Sequence, residues 1–178
     1  MQALYFLLHT VLGLYCGVVL LRVYMQYCRI SFVGDLGNFV CTLTNWVIRP
    51  MNSIIPTWRG MEISCLLLVF TVFMALAAMR LPLVGMVDTV GYNQMAFTLV
   101  KLGIQGTLAG LLQLLIGIVI INAIFSWIQS YSPLRQPLQR LAEPVLSPIR
   151  RFLPPIANID LSPLVAIILL QTLLLIVD

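Results

Sequence analysis

Charge is what this chain has least of. Only 9% of its residues are Asp, Glu, Lys or Arg, where a soluble domain carries about 25%. That scarcity excludes an ordinary water-soluble domain. Histidine is nearly missing as well: His9 stands alone in 178 residues, and one imidazole leaves little room for general-base chemistry. The sequence holds no glycine-rich phosphate loop, no His/Cys/Asp cluster with metal-ligand spacing and no Ser-His-Asp set. No cofactor and no enzymatic activity are therefore expected. Cys16, Cys28, Cys41 and Cys65 lack metal-type spacing, and two lie in apolar runs, so they read as small packed residues.

Apolar residues make up 61% of the chain. They gather in runs of about 17–25, the length that crosses a hydrocarbon core of ~30 Å. The formal charge of +4 then concerns orientation in a membrane, not nucleic acid. No positive leader region precedes the first run and no small-x-small cleavage site follows it, so Leu4 to Tyr27 is read as a retained first span.

The strongest pattern is a repeat. Shifted by 98 positions, Asn45–Leu66 lies over Glu143–Leu164 with five of 22 residues identical: Val47/Val145, Pro50/Pro148, Pro56/Pro154, Ser64/Ser162 and Leu66/Leu164. Glu62 matches Asp160 in kind. The fold class expected is an all-α membrane protein with four transmembrane helices. They form two parallel two-helix repeats, each with an interfacial amphipathic, proline-rich loop. The first repeat covers 1–80, a non-spanning connector 81–102 and the second repeat 103–178.

Within the first repeat, a helix is expected from Ala3 to Cys28 and another from Ile63 to Met79, stopped by Arg80 and Pro82. Between them Leu36, Phe39, Val40, Leu43 and Val47 recur at helical spacing up to Pro50. Leu81 to Lys101 reads as too polar and broken to span, with room for a surface helix from Asn93. The second repeat is expected to run from Gly103 to Ser130, through an amphipathic stretch opened by Ser132-Pro133, to a last helix from Leu161 to Val177. In it Leu134, Leu138, Leu141 and Val145 follow the same spacing.

Candidate functional residues follow from this layout. Arg22, Gln26 and Arg29 form a polar stripe at i, i+4 and i+7. Asn122, Ser126 and Gln129 occupy the matching depth, 100 positions on. A charge as deep as Arg22 must snorkel or find a partner. Glu62 and Asp160 open the last helix of each repeat. They can compensate the helix dipole, pair with Arg22, Arg150 or Arg151, or share a cation. Arg150 and Arg151 could hold anionic lipid headgroups. Gly13 with Gly17, and Gly106 with Gly110, form small-residue faces for helix packing; Gly103, Gln113 and Gly117 share the second face. Seven basic residues on the proline-rich side against two opposite put those loops in the cytoplasm and both termini outside. Arg80 and Asp178 should then lie at equal depth.

The run Glu143-Pro-x3-Pro148-Ile-Arg150-Arg151-x-Leu-Pro with Asp160-x-Ser162-Pro163 resembles the YggT/YlmG family of small membrane proteins. So do the doubled layout and Leu21-Arg22-Val-Tyr-Met-Gln26-Tyr27. The first copy departs from the pattern, with Asn45 for the acid and Asn52-Ser53 for the arginine pair. The resemblance implies a bacterial inner-membrane or plastid protein. It also implies links to osmotic-stress tolerance, to cell division or nucleoid organisation, and to haem attachment in a b-type cytochrome. The function expected is a non-enzymatic scaffold or assembly factor that contacts lipid and other membrane proteins and forms a homo-oligomer. A small channel or ion transporter is the alternative, with haem or redox assembly a third reading.

Overall fold

The computed structural model describes residues 2–32, 34–53, 62–83, 92–128, 134–152 and 160–177. Every regular element among them is an α-helix: α1 Gln2–Tyr27, α2 Asp35–Asn52, α3 Ile63–Leu83, α4 Tyr92–Ile128, α5 Arg135–Phe152 and α6 Ser162–Val177. Helices α1, α3 and α4 each contain a stretch long and apolar enough to cross a bilayer. Helix α6 is as apolar but has 16 residues, about 24 Å at 1.5 Å per residue, short of a full hydrocarbon core. Helix α4 has 37 residues, about 55 Å, so it must tilt or project beyond the lipid.

Two expectations need correction. Helix α3 does not stop at Arg80; it continues through Pro82 to Leu83. Its last turn tolerates the proline because the ring removes only one i→i−4 bond near an end that frays anyway. Residues 92–102 are not a separate surface piece either. They are the opening turns of α4, continuous with its spanning part. Asn93, Gln94 and Lys101 punctuate the sequence, but no proline or glycine separates Tyr92 from Lys101, so the helix runs on. Residues 84–91, Gln129, Ser132, Pro133 and Asp178 lie outside the described residues, and with them the pairing of Arg80 with Asp178.

Helix α3 packs antiparallel to α4 through glycines. A Cβ on Gly103 would stand 2.9 Å from the Phe70 ring, and one on Gly106 2.9 Å from Phe73. Gly110 is approached at 3.3 Å by both Leu20 and Phe73. These glycines are therefore spent inside the molecule, letting phenylalanine rings settle against the α4 backbone. Gly13 and Gly17 are different: nothing lies within 4 Å of their Cβ positions.

The two amphipathic helices bury matching positions. In α2 these are Val40, Thr44 and Ile48; in α5 they are Leu138, Ala142 and Leu146, each 98 residues later. Ile48 packs with Cys16, Leu20, Cys65 and Val69, joining α2 to α1 and α3. Leu141, Ala142 and Leu146 pack with Tyr24, Met25, Val119 and Ala166, joining α5 to α1, α4 and α6. The Tyr24 hydroxyl donates to the Leu141 carbonyl at 2.9 Å, a bond linking the two halves of the chain.

Candidate functional site

Arg22 sits five residues before the end of α1 and is 8% exposed. Its aliphatic stem continues the apolar face, and its head must be matched or the burial would be prohibitive. Three segments supply the match. Nη1 donates to Thr44 Oγ1 at 2.7 Å and to Asn45 Oδ1 at 2.8 Å, both on α2. Nη2 donates to Glu62 Oε1 at 2.9 Å. Nε lies 2.7 Å from Glu62 Oε2, an ion pair whose N–H is not aligned as a hydrogen bond. Glu62 is held in turn: its backbone N–H donates to Gln26 Oε1 at 3.0 Å, and the Cys65 thiol donates to Oε2 at 3.3 Å.

This cluster ties α1, α2 and the start of α3 at one point. The i, i+4 spacing puts Arg22 and Gln26 on one face of α1, so both reach the residue that opens α3. Burial raises the Glu62 pKa, but the hydrogen bonds and charge of Arg22, helped by Cys65 and Gln26, outweigh it. The carboxyl is held below its ordinary value and is ionised at neutral pH. Thr44, like Asn45, is a partner of Arg22 that sequence reasoning missed. It was visible in principle, because it falls in line with Val40 and Ile48 on the inward face of α2. A threonine on such a face needs a polar partner. Thr44 Oγ1 accepts the hydrogen bond from Arg22 while donating its own proton to the Val40 carbonyl at 2.7 Å.

The second half carries a different arrangement. Asn122, at the position matching Arg22, is 9% exposed and forms no hydrogen bond with a described residue. Ser126 is exposed. Asp160 takes its arginine from α5 instead: Arg150 Nε donates to Oδ2 at 3.0 Å, with Nη2 at 2.8 Å. This pair is open to solvent, with both side chains more than a third exposed. The other Asp160 oxygen caps α6, accepting from the Ser162 N–H at 2.9 Å. Burial raises the Asp160 pKa, but Ser162 and Arg150 outweigh it and hold the carboxyl low. Arg151 is exposed and makes no ion pair with a described residue. Ser64 and Ser162 are each 1% exposed, and the Ser64 hydroxyl has no hydrogen-bond partner among the described residues.

Each of the two repeat-related acids is thus occupied by its own arginine. Among the described residues no group of three or more His, Cys, Asp or Glu could hold a metal. Cys16, Cys28, Cys41 and Cys65 are all free thiols. One open feature is a groove of about 530 Å3 between α1 and α4, lined by His9, Gly13, Gly17, Phe73, Gly110 and Gln113 among others. It brings the Gly13/Gly17 face together with Gly110 across a gap.

Comparison with known proteins gives a consistent result. The family model described as CCB3/YggT matches residues 1–88 and 102–178. A protein of Escherichia coli K12, "Uncharacterized protein YggT", is 31% identical over 97% of this chain and 88% of its own length. One from Vibrio alginolyticus, "Uncharacterized protein in proC 3'region", is 31% identical over 96% and 91%. An "Uncharacterized protein" of Haemophilus influenzae is 28% identical over 90% and 83%. No solved structure matches.

Proposed function

Because the chain belongs to the CCB3/YggT family, we propose that it is a non-enzymatic membrane protein of the bacterial inner membrane that works by assembling with other membrane proteins. One observation carries this reading. The polar chemistry at Arg22, Gln26, Glu62, Arg150 and Asp160 is consumed within the chain, while the Gly13/Gly17 face is left open beside a groove. Charges paired within the chain fix a shape, and these five residues are not poised for catalysis. An open glycine face at hydrocarbon depth is a surface on which another helix can close.

The reading takes α1, α3, α4 and the shorter α6 as four spans in two parallel repeats. Their basic loops are cytoplasmic and both ends of the chain outside. It includes self-association and a bearing on osmotic-stress tolerance. Gly13→Ile/Gly17→Ile is the clean test, since a Cβ added at either position has nothing within 4 Å in the single molecule. Native-state separation of crosslinked membranes should show its complexes lost while the protein accumulates normally. Unchanged complexes would remove the groove as the assembly surface.

A small channel is the second reading, favoured by the polar residues His9, Thr10 and Gln113 in the same groove. Arg22 does not contribute to such a path, because its bonds go to α2 and Glu62. Ion flux through liposomes holding the purified protein would support this reading, and sealed liposomes would eliminate it.

A further inference from the structure

Helix α2 has three faces, not two. At 100° per residue, Gly37, Val40, Thr44 and Ile48 point inward and are buried. Asn38, Thr42 and Arg49 share a second face and are exposed. Phe39, Leu43 and Trp46, at i, i+4 and i+7, share a third, roughly 140° from the first. They stand 59%, 43% and 85% exposed. A helix lying flat beneath a bundle needs one apolar face and one wet face. A third face, apolar yet uncovered, requires another environment.

The depth of α2 identifies that environment. Ile48 belongs to one buried cluster with Cys16, Val19 and Leu20 of α1 and Cys65 and Val69 of α3. Leu20 lies seven residues inside the end of α1, and Val69 six residues inside the start of α3, each about 10 Å along its helix. Beside Cys65 the exposed side chains are Leu66 and Leu67, a lipid-facing surface of a span. The C-terminal half of α2 therefore sits at the level of the apolar belt, and its third face meets whatever surrounds that belt.

We infer that the Phe39–Leu43–Trp46 face is occupied by lipid, at the boundary of headgroups and acyl chains in the leaflet beside the basic loops. The face is too small for a stable protein partner. Two aromatics and a leucine at these exposures offer about 400 Å2, taking 150–250 Å2 per aromatic side chain, against the ~800 Å2 per partner of a specific interface. It carries no charge, and tryptophan favours the membrane–water boundary. Helix α5 has no such face: the positions 98 residues on are Pro137, Leu141 and Pro144, and Leu141 is fully buried. One amphipathic helix is thus immersed on its flank, whereas the other presents Gln139, Arg140 and Glu143 to water.

The test uses full-length protein carrying Trp58→Phe and Trp127→Phe, so that Trp46 is the sole tryptophan. It is rebuilt into phosphatidylcholine vesicles whose acyl chains carry bromine near the headgroup or near the chain end. Trp46 emission should fall by at least about half with shallow bromine, and much less with deep bromine, as expected for a helix seated ~5–10 Å into the interface. Iodide in the water should quench it weakly. A control with Trp46→Phe and Asn38→Trp should reverse the pattern, with strong iodide and weak bromine quenching. Strong iodide quenching of Trp46 would overturn the inference by placing the face in water. Emission quenched by neither agent would overturn it by placing the face against protein, and quenching that rises on dilution in lipid would identify a second copy.

Discussion

The two halves of the chain hold an acid at the same place, Glu62 in one and Asp160 in the other, and secure it differently. In the first, Glu62 is gripped from α1 by Arg22, inside a cluster that also takes in Thr44, Asn45, Gln26 and Cys65. In the second, the α1 arginine is replaced by Asn122, and Asp160 is gripped from α5 by Arg150 at the surface. The matching changes are coordinated. Thr44 becomes Ala142, Asn45 becomes Glu143, and Asn52 becomes Arg150. An acid at the start of the last helix is retained, and the cation that answers it moves from one helix to another. The lesson concerns desolvation. The first pair is buried and needs every lone pair matched, while the second is solvated and needs little.

The widest gap between the halves should appear on breaking these pairs. Arg22→Ala leaves the Glu62 charge uncompensated in a buried site, and should cost about 3–5 kcal/mol in a reversible detergent unfolding measurement. Arg150→Ala should cost at most about 1 kcal/mol. Next come the shared core positions, where the halves should agree. Ile48→Ala and Leu146→Ala remove side chains of equal burial, and each should cost about 2–5 kcal/mol. A large difference between them would show that α2 and α5 are not packed alike. Glycine faces give a smaller contrast. Gly106→Ile drives a side chain into Phe73 and should cost about 1–3 kcal/mol. At Gly13 a Cβ has nothing within 4 Å, so Gly13→Ala should stay within about 0.5 kcal/mol.

Acid gives the finest comparison. Glu62 and Asp160 both have folded-state pKa values below the ordinary ones, so each stabilises the fold above its unfolded value, near pH 4. That stability is lost as pH falls through the folded value. Glu62, the less exposed of the two, should account for more of the loss. A melting profile from pH 6 downward should therefore flatten more in Glu62→Gln than in Asp160→Asn.

Much of the fold could be read from residues alone because apolar length is a crude and strong signal. The spans at α1 and α3 and the inward lines Val40–Ile48 and Leu138–Leu146 follow directly from it. Helix ends were harder. Pro50, Pro144 and Pro148 suggest breaks, yet each lies inside its helix. Neighbouring contacts hold these helices, and the freed carbonyls can turn to other donors. The separate surface piece expected from Asn93 is instead part of α4: Asn93, Gln94 and Lys101 are polar, but no proline or glycine interrupts the helix between Tyr92 and Lys101. At the candidate site, Arg22, Gln26 and Glu62 stood out as polar residues in apolar surroundings. Their partner Thr44 did not, because a lone threonine on an apolar face looks like packing until the charge above it is placed. The open state of Gly13/Gly17, against the filled state of Gly106/Gly110, depends on which phenylalanines approach, and spacing alone carries no trace of that.

The contrast between a buried clamp and a surface pair is tested most directly by two double-mutant cycles on the same protein. One uses Arg22→Ala with Glu62→Gln, the other Arg150→Ala with Asp160→Asn. The expected coupling is about 1.5–3 kcal/mol for the first and about 0.2–1 kcal/mol for the second. Equal couplings, or a larger value at Arg150–Asp160, would contradict the account.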